Sequence, residues 1–282
     1  MMLIVDSGST SSEWLFVGPS GEVKRYMSPG FNPYYFKDDN YLKDLEKDTS
    51  DDVNFSDVKL IYFYGSGCST DENCTIVKNS LLRFFPHADI HLHHDLYGSA
   101  IALFGNNSGI ACILGTGSNS CLWDGNEIVE NVPSLGYLLA DEGSGTYLGK
   151  LILTDILLGK APKELSEQFH QNYDMDFSKA LDKMYKEPNP NKFFSSISKF
   201  ASANISHPWI EEKIKQNFND FIVEQVSQYT DYKGYEISFI GSVAHSFEAI
   251  LREVFSANGL NVDRIIKSPT DALLNFHLQN RD

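Results

Sequence analysis

The sequence predicts an α/β protein built from two related halves. The stretches "IVDSGSTSSEW" (4–14) and "ILGTGSNSCLW" (113–123) align without a gap at an offset of 109 residues, with five identities in eleven positions. In each stretch an apolar run ends in glycine and hydroxyl residues before a second apolar run begins. A repeated strand–turn–strand unit predicts that each half starts with the same kind of β-hairpin.

The first half has the predicted order βββαβαβα. Two or three strands are predicted within residues 2–26, followed by a Pro/Gly-rich loop at 28–35 and a charged helix within 38–50. The run "VKLIYFYGSG" (58–67) is stopped by glycines, which is typical of a buried strand that delivers a loop. A helix at 71–85, a strand at 88–95 and a helix at 96–105 complete this half.

The second half has more helix. A helical region is predicted from about Thr146 to Phe200, interrupted by "EPNPNK" (187–192), and a further helix at 208–229. Residues 235–255 have the pattern of a strand, a Gly-Ser turn and a helix, and the chain ends with a short strand, Pro269 and a final helix. Glycine turns at Gly8, Gly117 and Gly241 therefore follow three predicted strands. Such turns let backbone N–H groups approach phosphate.

Composition excludes several classes of protein. Hydrophobic residues make up 42% of the 282 residues, enough for a packed core, and the formal net charge is −15. An excess of acidic residues argues against nucleic acid or an anionic membrane as a partner. No apolar stretch approaches the ~18 residues of a membrane span, and "MMLIVD" lacks a basic leader. We therefore expect a cytoplasmic protein, with its four cysteines, none in a C-x-x-C pair, as reduced thiols.

Longer motifs carry a more specific resemblance. The segments "HHDLYGSAIALFG" (93–105), "ILGTGSNS" (113–120) and "LGYLLADEGSGTYLGK" (135–150) resemble the N-acetylglucosamine kinase branch of the BadF/BadG/BcrA/BcrD-type ATPase family, in the actin-like ATPase superfamily. The similarity runs nearly end to end. It implies two ribonuclease-H-like domains with a nucleotide and sugar cleft between them, ATP and Mg²⁺ as cofactors, and phosphorylation of an amino sugar, N-acetylglucosamine at its 6-hydroxyl.

The resemblance also implies domain bounds and residue roles. The smaller domain is expected at 1–108, joined by the C-terminal helix at about 266–282, and the larger domain at 109–265. By this resemblance Asp6 orients the magnesium ion through water, and Asp95 is the general base for the sugar hydroxyl. The residues implied to contact the nucleotide are Ser7, Gly8, Ser9, Thr10, Gly115, Thr116, Gly117, Gly241 and Ser242. The residues implied to contact the sugar are Asn32, Ser118, Gly136 and Asp141.

Several of these residues have a structural alternative. Asp95 precedes a helical run and could be its N-cap, and Asp141 with Glu142 could be ordinary helix-start acids. The aromatic residues of "FNPYYF" (31–36) could stack on a sugar ring or simply pack a loop. The histidines of "HLHH" (91–94) lie on both faces of a strand, which disfavours a metal site. Ser11 occupies a position where many relatives carry Lys or Arg, a departure that predicts weaker or altered nucleotide binding.

Three alternatives for function stay open from the sequence. The acceptor could be another hexosamine, such as glucosamine or N-acetylmuramic acid. The chain could also be a non-catalytic domain that senses sugar or nucleotide. A dehydratase-activating ATPase is disfavoured, because the chain lacks the cysteine pairs that hold an iron–sulfur cluster. The expected partner is a small-molecule sugar, and a homodimer is left open because relatives are often dimers.

Overall fold

The computed structural model describes residues 1–33, 40–51 and 53–280. The chain divides into two compact units. Unit 1 comprises Met1–Asn106 together with Pro269–Asp282, and unit 2 comprises Asn107–Ser268.

The described strands are β1 (Met2–Ser7), β2 (Ser11–Val17), β3 (Val23–Pro29), β4 (Leu60–Gly65), β5 (Asp89–His94), β6 (Gly109–Leu114), β7 (Ser118–Trp123), β8 (Ile128–Glu130), β9 (Ile237–Ile240) and β10 (Val262–Ile266). The described helices are α1 (Asn40–Thr49), α2 (Asp71–Phe84), α3 (Asp95–Phe104), α4 (Gly136–Leu139), α5 (Gly145–Leu157), α6 (Lys163–Tyr173), α7 (Phe177–Tyr185), α8 (Pro190–Ser196), α9 (Ser198–Ala203), α10 (Pro208–Glu224), α11 (Ser242–Ser246), α12 (Glu248–Ala257) and α13 (Thr270–Gln279).

Both units contain the same mixed five-stranded sheet. The order in unit 1 is β3-β2-β1-β4-β5, and in unit 2 it is β8-β7-β6-β9-β10. The first three strands of each unit are antiparallel, and the last two are parallel to the first strand. The prediction of an α/β protein with two related halves is confirmed. Parallel strands end at one edge of a sheet, and this is where such folds bind ligands.

The register of the internal repeat differs from its ungapped sequence alignment. Strands β1 and β6 begin at residues 2 and 109. Ser7 pairs with Ser12 across the first turn, whereas Leu114 pairs with Ser118 across the second, so the second turn is one residue shorter. One ungapped alignment therefore cannot match both strands of the hairpin. Trp14 and Trp123, which the sequence aligned, are both buried in their units.

Each sheet packs against an aromatic core. In unit 1 the rings of Phe55 and Phe85 stack at 4.4 Å between centroids, and Phe16 packs beside Phe55 at 5.7 Å. In unit 2 Phe239 of β9 contacts Phe255 of α12 edge to face at 5.1 Å. These rings bury large apolar areas and hold each sheet, and therefore its strand ends, in a fixed position.

The last helix, α13, contacts the sheet of unit 1 through the side chain of His277. His277 of α13 stacks on Tyr62 at 3.7 Å between centroids, and its Nε2 lies 2.7 Å from the hydroxyl of Tyr64. Burial, and then the nearby His93 and His91, lower the pKa of His277 to about 4, so the ring is neutral at pH 7. Arg25 of β3 forms an ion pair with Asp271 at the start of the same helix. The C-terminal segment thus packs on the sheet of unit 1.

Most predicted elements are present, with differences at their ends. The helix predicted to Tyr229 ends at Glu224 and is followed by a 3₁₀ turn at Val226–Gln228. The break at "EPNPNK" is shorter than predicted, because Pro190 takes the first position of α8, where its missing N–H is not needed. The predicted charged helix starts at Asn40, and its residues 38 and 39 lie outside the described ranges.

The remaining predictions about membrane and cysteine features concern the described residues. None of their helices is long and apolar enough to span a membrane. The four cysteines are free thiols, and burial raises the pKa of three of them, Cys68, Cys112 and Cys121.

Candidate active site

The parallel strands of unit 1 bring two carboxylates to one edge of the sheet. Ser7, Gly65 and His94 are register partners at the ends of β1, β4 and β5. Asp6 lies one residue before the end of β1, and Asp95 directly follows β5 as the first residue of α3. Two carboxylates far apart in sequence are thereby placed where their charges interact.

The Asp6 carboxyl has a raised pKa. Burial, then the negative charge of Asp95, and then that of Glu13 raise it to about 7. A cation beside Asp6 would relieve this repulsion. No three His, Cys, Asp or Glu side chains in the described part of the chain form a metal-binding group. One carboxylate combined with water and phosphate oxygens is, however, the ligand set that Mg²⁺ commonly takes in phosphate-binding sites, so the residues fit this ion.

Asp95 has a buried oxygen without a donor. Its side chain is 19% exposed, and its Oδ1 receives no hydrogen bond from the described residues. His94 is the N-cap of α3, because its Nδ1 accepts the Leu96 N–H at 3.2 Å. The alternative that Asp95 caps this helix is therefore wrong: Asp95 lies one residue inside it.

The first hairpin turn, Gly8–Thr10, adjoins the predicted sugar residue Asn32. The Gly8 N–H donates to the Ser11 carbonyl at 3.0 Å, closing the turn. The Ser9 hydroxyl accepts from Nδ2 of the buried Asn32 at 3.4 Å. Thr10 is exposed at the tip of the turn. The structure thus brings a predicted phosphate residue and a predicted sugar residue of unit 1 together.

Ser7 ends β1 directly before this turn, and its side chain supports the loop at Phe31. Its hydroxyl is buried, lies 2.7 Å from the Ser12 hydroxyl and accepts the Phe31 N–H at 2.9 Å. The hydroxyl therefore supports the loop, and a phosphate contact through it stays a prediction. Phe31 is itself buried against Phe63, whose ring centroid is 5.6 Å away, so it packs the loop. Residues 34–36, also predicted to stack on a sugar, lie outside the described residues.

In unit 2 the second and third glycine turns meet at the corresponding edge. The Gly115 carbonyl accepts the Gly145 N–H at 2.9 Å, and the Thr116 carbonyl accepts the Thr146 hydroxyl at 2.6 Å. Gly241 has φ 127°, and a Cβ there would lie 2.2 Å from the Leu114 carbonyl oxygen. Only glycine fits this approach. Ser242, the second residue predicted to contact adenosine, follows it as the first residue of α11.

Asp141 faces the second turn. It is 7% exposed, and its Oδ1 accepts the Ser118 N–H at 3.3 Å. A Cβ on Gly117 would lie 3.3 Å from both carboxylate oxygens, so the missing side chain leaves room for them. Burial raises the pKa of Asp141 to about 6, against the lowering effects of the Ser118 N–H and Lys150. The predicted sugar residues Ser118 and Asp141 are thus in contact.

The backbone around Asp141 rules out its structural alternative. Asp141 has φ 75°, and α5 begins only at Gly145 with Ser144 as its N-cap. Asp141 and Glu142 are therefore outside the helix, and the alternative that they are ordinary helix-start acids is wrong. Gly136, the fourth predicted sugar residue, begins α4 with φ 72°, and its contact with a sugar stays a prediction.

Two supporting residues were not predicted from the sequence. Asn217 of α10 accepts the Gly143 N–H at 2.8 Å and donates to the Ser144 carbonyl at 3.4 Å, so it holds the loop that carries Asp141. Gly30 packs on the first turn, where a Cβ would lie 2.3 Å from the Gly8 carbonyl oxygen. The glycine in "SPGFN" was a signal for close approach, whereas one asparagine within a helix gives none.

Known structures share this fold. The crystal structure of a Porphyromonas gingivalis protein, described as a candidate N-acetylglucosamine kinase, matches with a TM-score of 0.93 and 36% sequence identity over 99% of each chain. This chain belongs to the same sugar kinase family. A second relative of that description, from Chromobacterium violaceum, matches at TM-score 0.74 and 16% identity over 98% of each chain.

The sugar kinase family has the actin-like ATPase fold. MreB 5 of Spiroplasma citri, crystallised with AMPPNP, matches with a TM-score of 0.56 and 10% identity over 99% of this chain and 94% of its own. At this identity the match shows the fold alone. A scan against protein-family models and a search of curated proteins found no match.

Proposed function

We propose that the chain transfers the γ-phosphoryl group of ATP to the 6-hydroxyl of N-acetylglucosamine. The observation that carries the chemistry is the partly exposed Asp95 carboxylate at the strand edge, where its charge acts on Asp6. The choice of sugar rests on the Porphyromonas gingivalis relative and its description. This assignment also places the chain in the N-acetylglucosamine kinase branch of the BadF/BadG/BcrA/BcrD-type family.

Asp95 acts as the general base. It accepts the proton of the 6-hydroxyl while that oxygen forms a bond to the γ-phosphorus, and the bond between the γ-phosphorus and the ADP oxygen breaks. A base of this kind contributes roughly 10²–10⁴-fold to the rate, and positioning and charge neutralisation supply most of the remainder. The Asp95 side chain is 19% exposed, so part of it is available for this contact.

The other predicted residues divide into three groups in this proposal. Asp6 would hold Mg²⁺, and the ion would neutralise phosphate charge. The turns Gly8–Thr10 and Gly115–Gly117 contact the phosphates, with Ser7 as the brace of the first turn and Gly241 and Ser242 beside the adenosine. Asn32, Ser118, Gly136 and Asp141 contact the sugar. The pairs Ser9–Asn32 and Ser118–Asp141 support this grouping within each unit.

An ADP-release assay with Mg²⁺ and ATP tests the proposal. The panel contains N-acetylglucosamine, glucosamine, N-acetylmuramic acid and glucose, and ³¹P NMR of the product identifies the acceptor hydroxyl. Asp95→Asn should lower kcat by at least about 100-fold. Asp71→Asn is the matched control, because Asp71 is also the first residue of a helix in unit 1 but is exposed.

The outcomes separate the alternatives. Turnover of N-acetylglucosamine that falls in Asp95→Asn and persists in Asp71→Asn supports the proposal. Turnover that survives Asp95→Asn contradicts the base assignment. Sugar binding by calorimetry without turnover on any sugar would favour a sensing domain, and turnover restricted to another hexosamine would change the substrate only.

A further inference from the structure

The Nδ1 atom of His94 lies near one hydrogen-bond donor and near one hydrogen-bond acceptor. The Leu96 N–H is 3.2 Å away and requires a lone pair on Nδ1. The Asp95 Oδ1 is 2.9 Å away and requires a proton on Nδ1. A ring nitrogen carries either a proton or a lone pair, so His94 can satisfy only one of these neighbours at a time.

The energetic balance favours the proton when Asp95 is ionised. Without a proton on Nδ1, a lone pair of Nδ1 would face a carboxylate oxygen at 2.9 Å, and that buried oxygen would stay without a donor. With it, a charge-assisted hydrogen bond forms, while the Leu96 N–H at the helix start loses its acceptor. Burial lowers the pKa of His94, but the hydrogen bond to Asp95 and the charge of Asp95 together raise it above its usual value.

The other groups around His94 do not compete for this proton. Asp6 on β1 carries a charge that acts on Asp95. On β4 the register partner of His94 is Gly65, which has no side chain. After β4 comes Cys68, whose thiol is neutral at pH 7 because burial raises its pKa to about 12. The preceding His93 stacks instead on Tyr97, with 4.5 Å between the centroids.

We propose that His94 is a positioning residue for the general base. Its Nδ1–H donates to Asp95 Oδ1 and holds that oxygen inside the protein, so that Oδ2 is the oxygen presented to the sugar hydroxyl. This inference rests on the proposed function, because it assigns the second oxygen to proton transfer. His94 does not touch the reacting atoms; it fixes the rotamer of the side chain that does.

Two substitutions separate positioning from capping. Asn and Asp are comparable N-caps, so His94→Asn and His94→Asp should cap α3 equally, and any lower melting temperature of His94→Asp reports its repulsion of Asp95. They differ beside Asp95: the amide of Asn can donate a hydrogen bond, whereas a second carboxylate donates none and repels the first. A pure capping role therefore predicts the same kcat for both variants.

We expect unequal effects on catalysis. In His94→Asp, kcat for N-acetylglucosamine at pH 7 should fall by about 10-fold or more, with KM changed less than about twofold. The acid limb of its kcat–pH profile should move to higher pH, since the added negative charge raises the proton affinity of Asp95. In His94→Asn, kcat should stay within about threefold of wild type. Equal kcat values in the two variants would overturn the inference.

A second measurement requires no kinase activity. NMR titration of the His94 ring in the unliganded protein should give a pKa above the usual value in wild type and below it in Asp95→Asn, where only burial acts. An unchanged His94 pKa in Asp95→Asn would overturn the inference even if the enzyme is an active sugar kinase. The expected NMR shift without turnover on any sugar would refute the proposed function and leave the His94–Asp95 contact established.

Discussion

The two units carry different chemistry at the same edge of the same sheet. In unit 1 this edge holds Asp6 and Asp95, two carboxylates whose repulsion contributes to raising the pKa of Asp6 to about 7. In unit 2 the acid is Asp141, which a backbone N–H and the charge of Lys150 partly stabilise, so that its pKa is raised only to about 6. The edge in unit 1 therefore holds two interacting carboxylates, whereas Asp141 in unit 2 accepts a hydrogen bond from the Ser118 N–H.

The hairpin turns are also supported by different elements. Hydroxyl groups brace the first turn, through Ser7, Ser12 and the Phe31 N–H. The second turn is held by the Gly145 N–H and by the Thr146 hydroxyl. Each turn also has one close glycine approach, from Gly30 after β3 in unit 1 and from Gly241 after β9 in unit 2. The two turns therefore use the same kinds of support, supplied by different elements.

The largest expected effect tests the backbone support of unit 2. Gly241→Ala should lower the free energy of unfolding by roughly 3 kcal/mol or more, because the new Cβ would meet the Leu114 carbonyl oxygen at 2.2 Å and φ is 127°. Gly8→Ala in unit 1 should cost less than about 1 kcal/mol, since its Cβ would lie 3.6 Å from the Ser11 carbonyl oxygen. Denaturant unfolding measures both values.

Gly259→Ala is the control for backbone conformation. Gly259 also has a positive φ, 72°, but a Cβ there would meet nothing within 4 Å. If Gly241→Ala and Gly259→Ala are equally destabilising, then conformation rather than close packing explains the loss, and the contrast between the two turns is wrong.

The next effect concerns the carboxylate pair. Asp6→Asn should lower kcat by on the order of 100-fold, because the carboxylate proposed to hold the Mg²⁺ that would neutralise phosphate charge is lost. The same substitution should stabilise the unliganded protein at pH 8 by on the order of a few kcal/mol, at about 1.4 kcal/mol for each pKa unit. Kinase assays and thermal unfolding without nucleotide or magnesium measure the two effects.

The sign of the stability effect follows from the raised pKa. The folded value is about 7 and the unfolded value is 3.8, so wild type loses stability as the pH rises from about 4 through 7. The difference between Asp6→Asn and wild type should therefore vanish below about pH 4. A difference that is independent of pH would mean that the Asp6 charge is not the cause.

The smallest of these effects concerns Asp141. Asp141→Asn should raise the sugar KM by about 10-fold and change kcat by less than about threefold. The substitution removes a charged hydrogen-bond acceptor near Ser118 and leaves Asp95, the proposed base, unchanged. Glu142→Gln is the adjacent control and should leave both constants near wild type. A loss confined to kcat would place Asp141 in the chemical step and contradict its proposed role in sugar binding.

Much of the architecture could be predicted because it is encoded locally. Apolar runs that end in glycine specify the strands and turns, and the acids Asp6, Asp95 and Asp141 occur at fixed places in those patterns. The capping role of His94 was not predicted, because "HHD" offers two candidate caps and the helix start decides between them. The support of the Asp141 loop by Asn217 links residues 74 positions apart, which no local pattern reports.

The sequence by itself determined the α/β class, the two hairpins with their glycine turns, and the residues able to do acid–base chemistry, since these follow from periodicity and side-chain type. Only the tertiary structure decided the shorter second hairpin turn, the interaction of Asp6 with Asp95, and the position of His94 Nδ1 near both Leu96 and Asp95. Those depend on strand register and burial, which set distances and pKa values through contacts between residues distant in the chain.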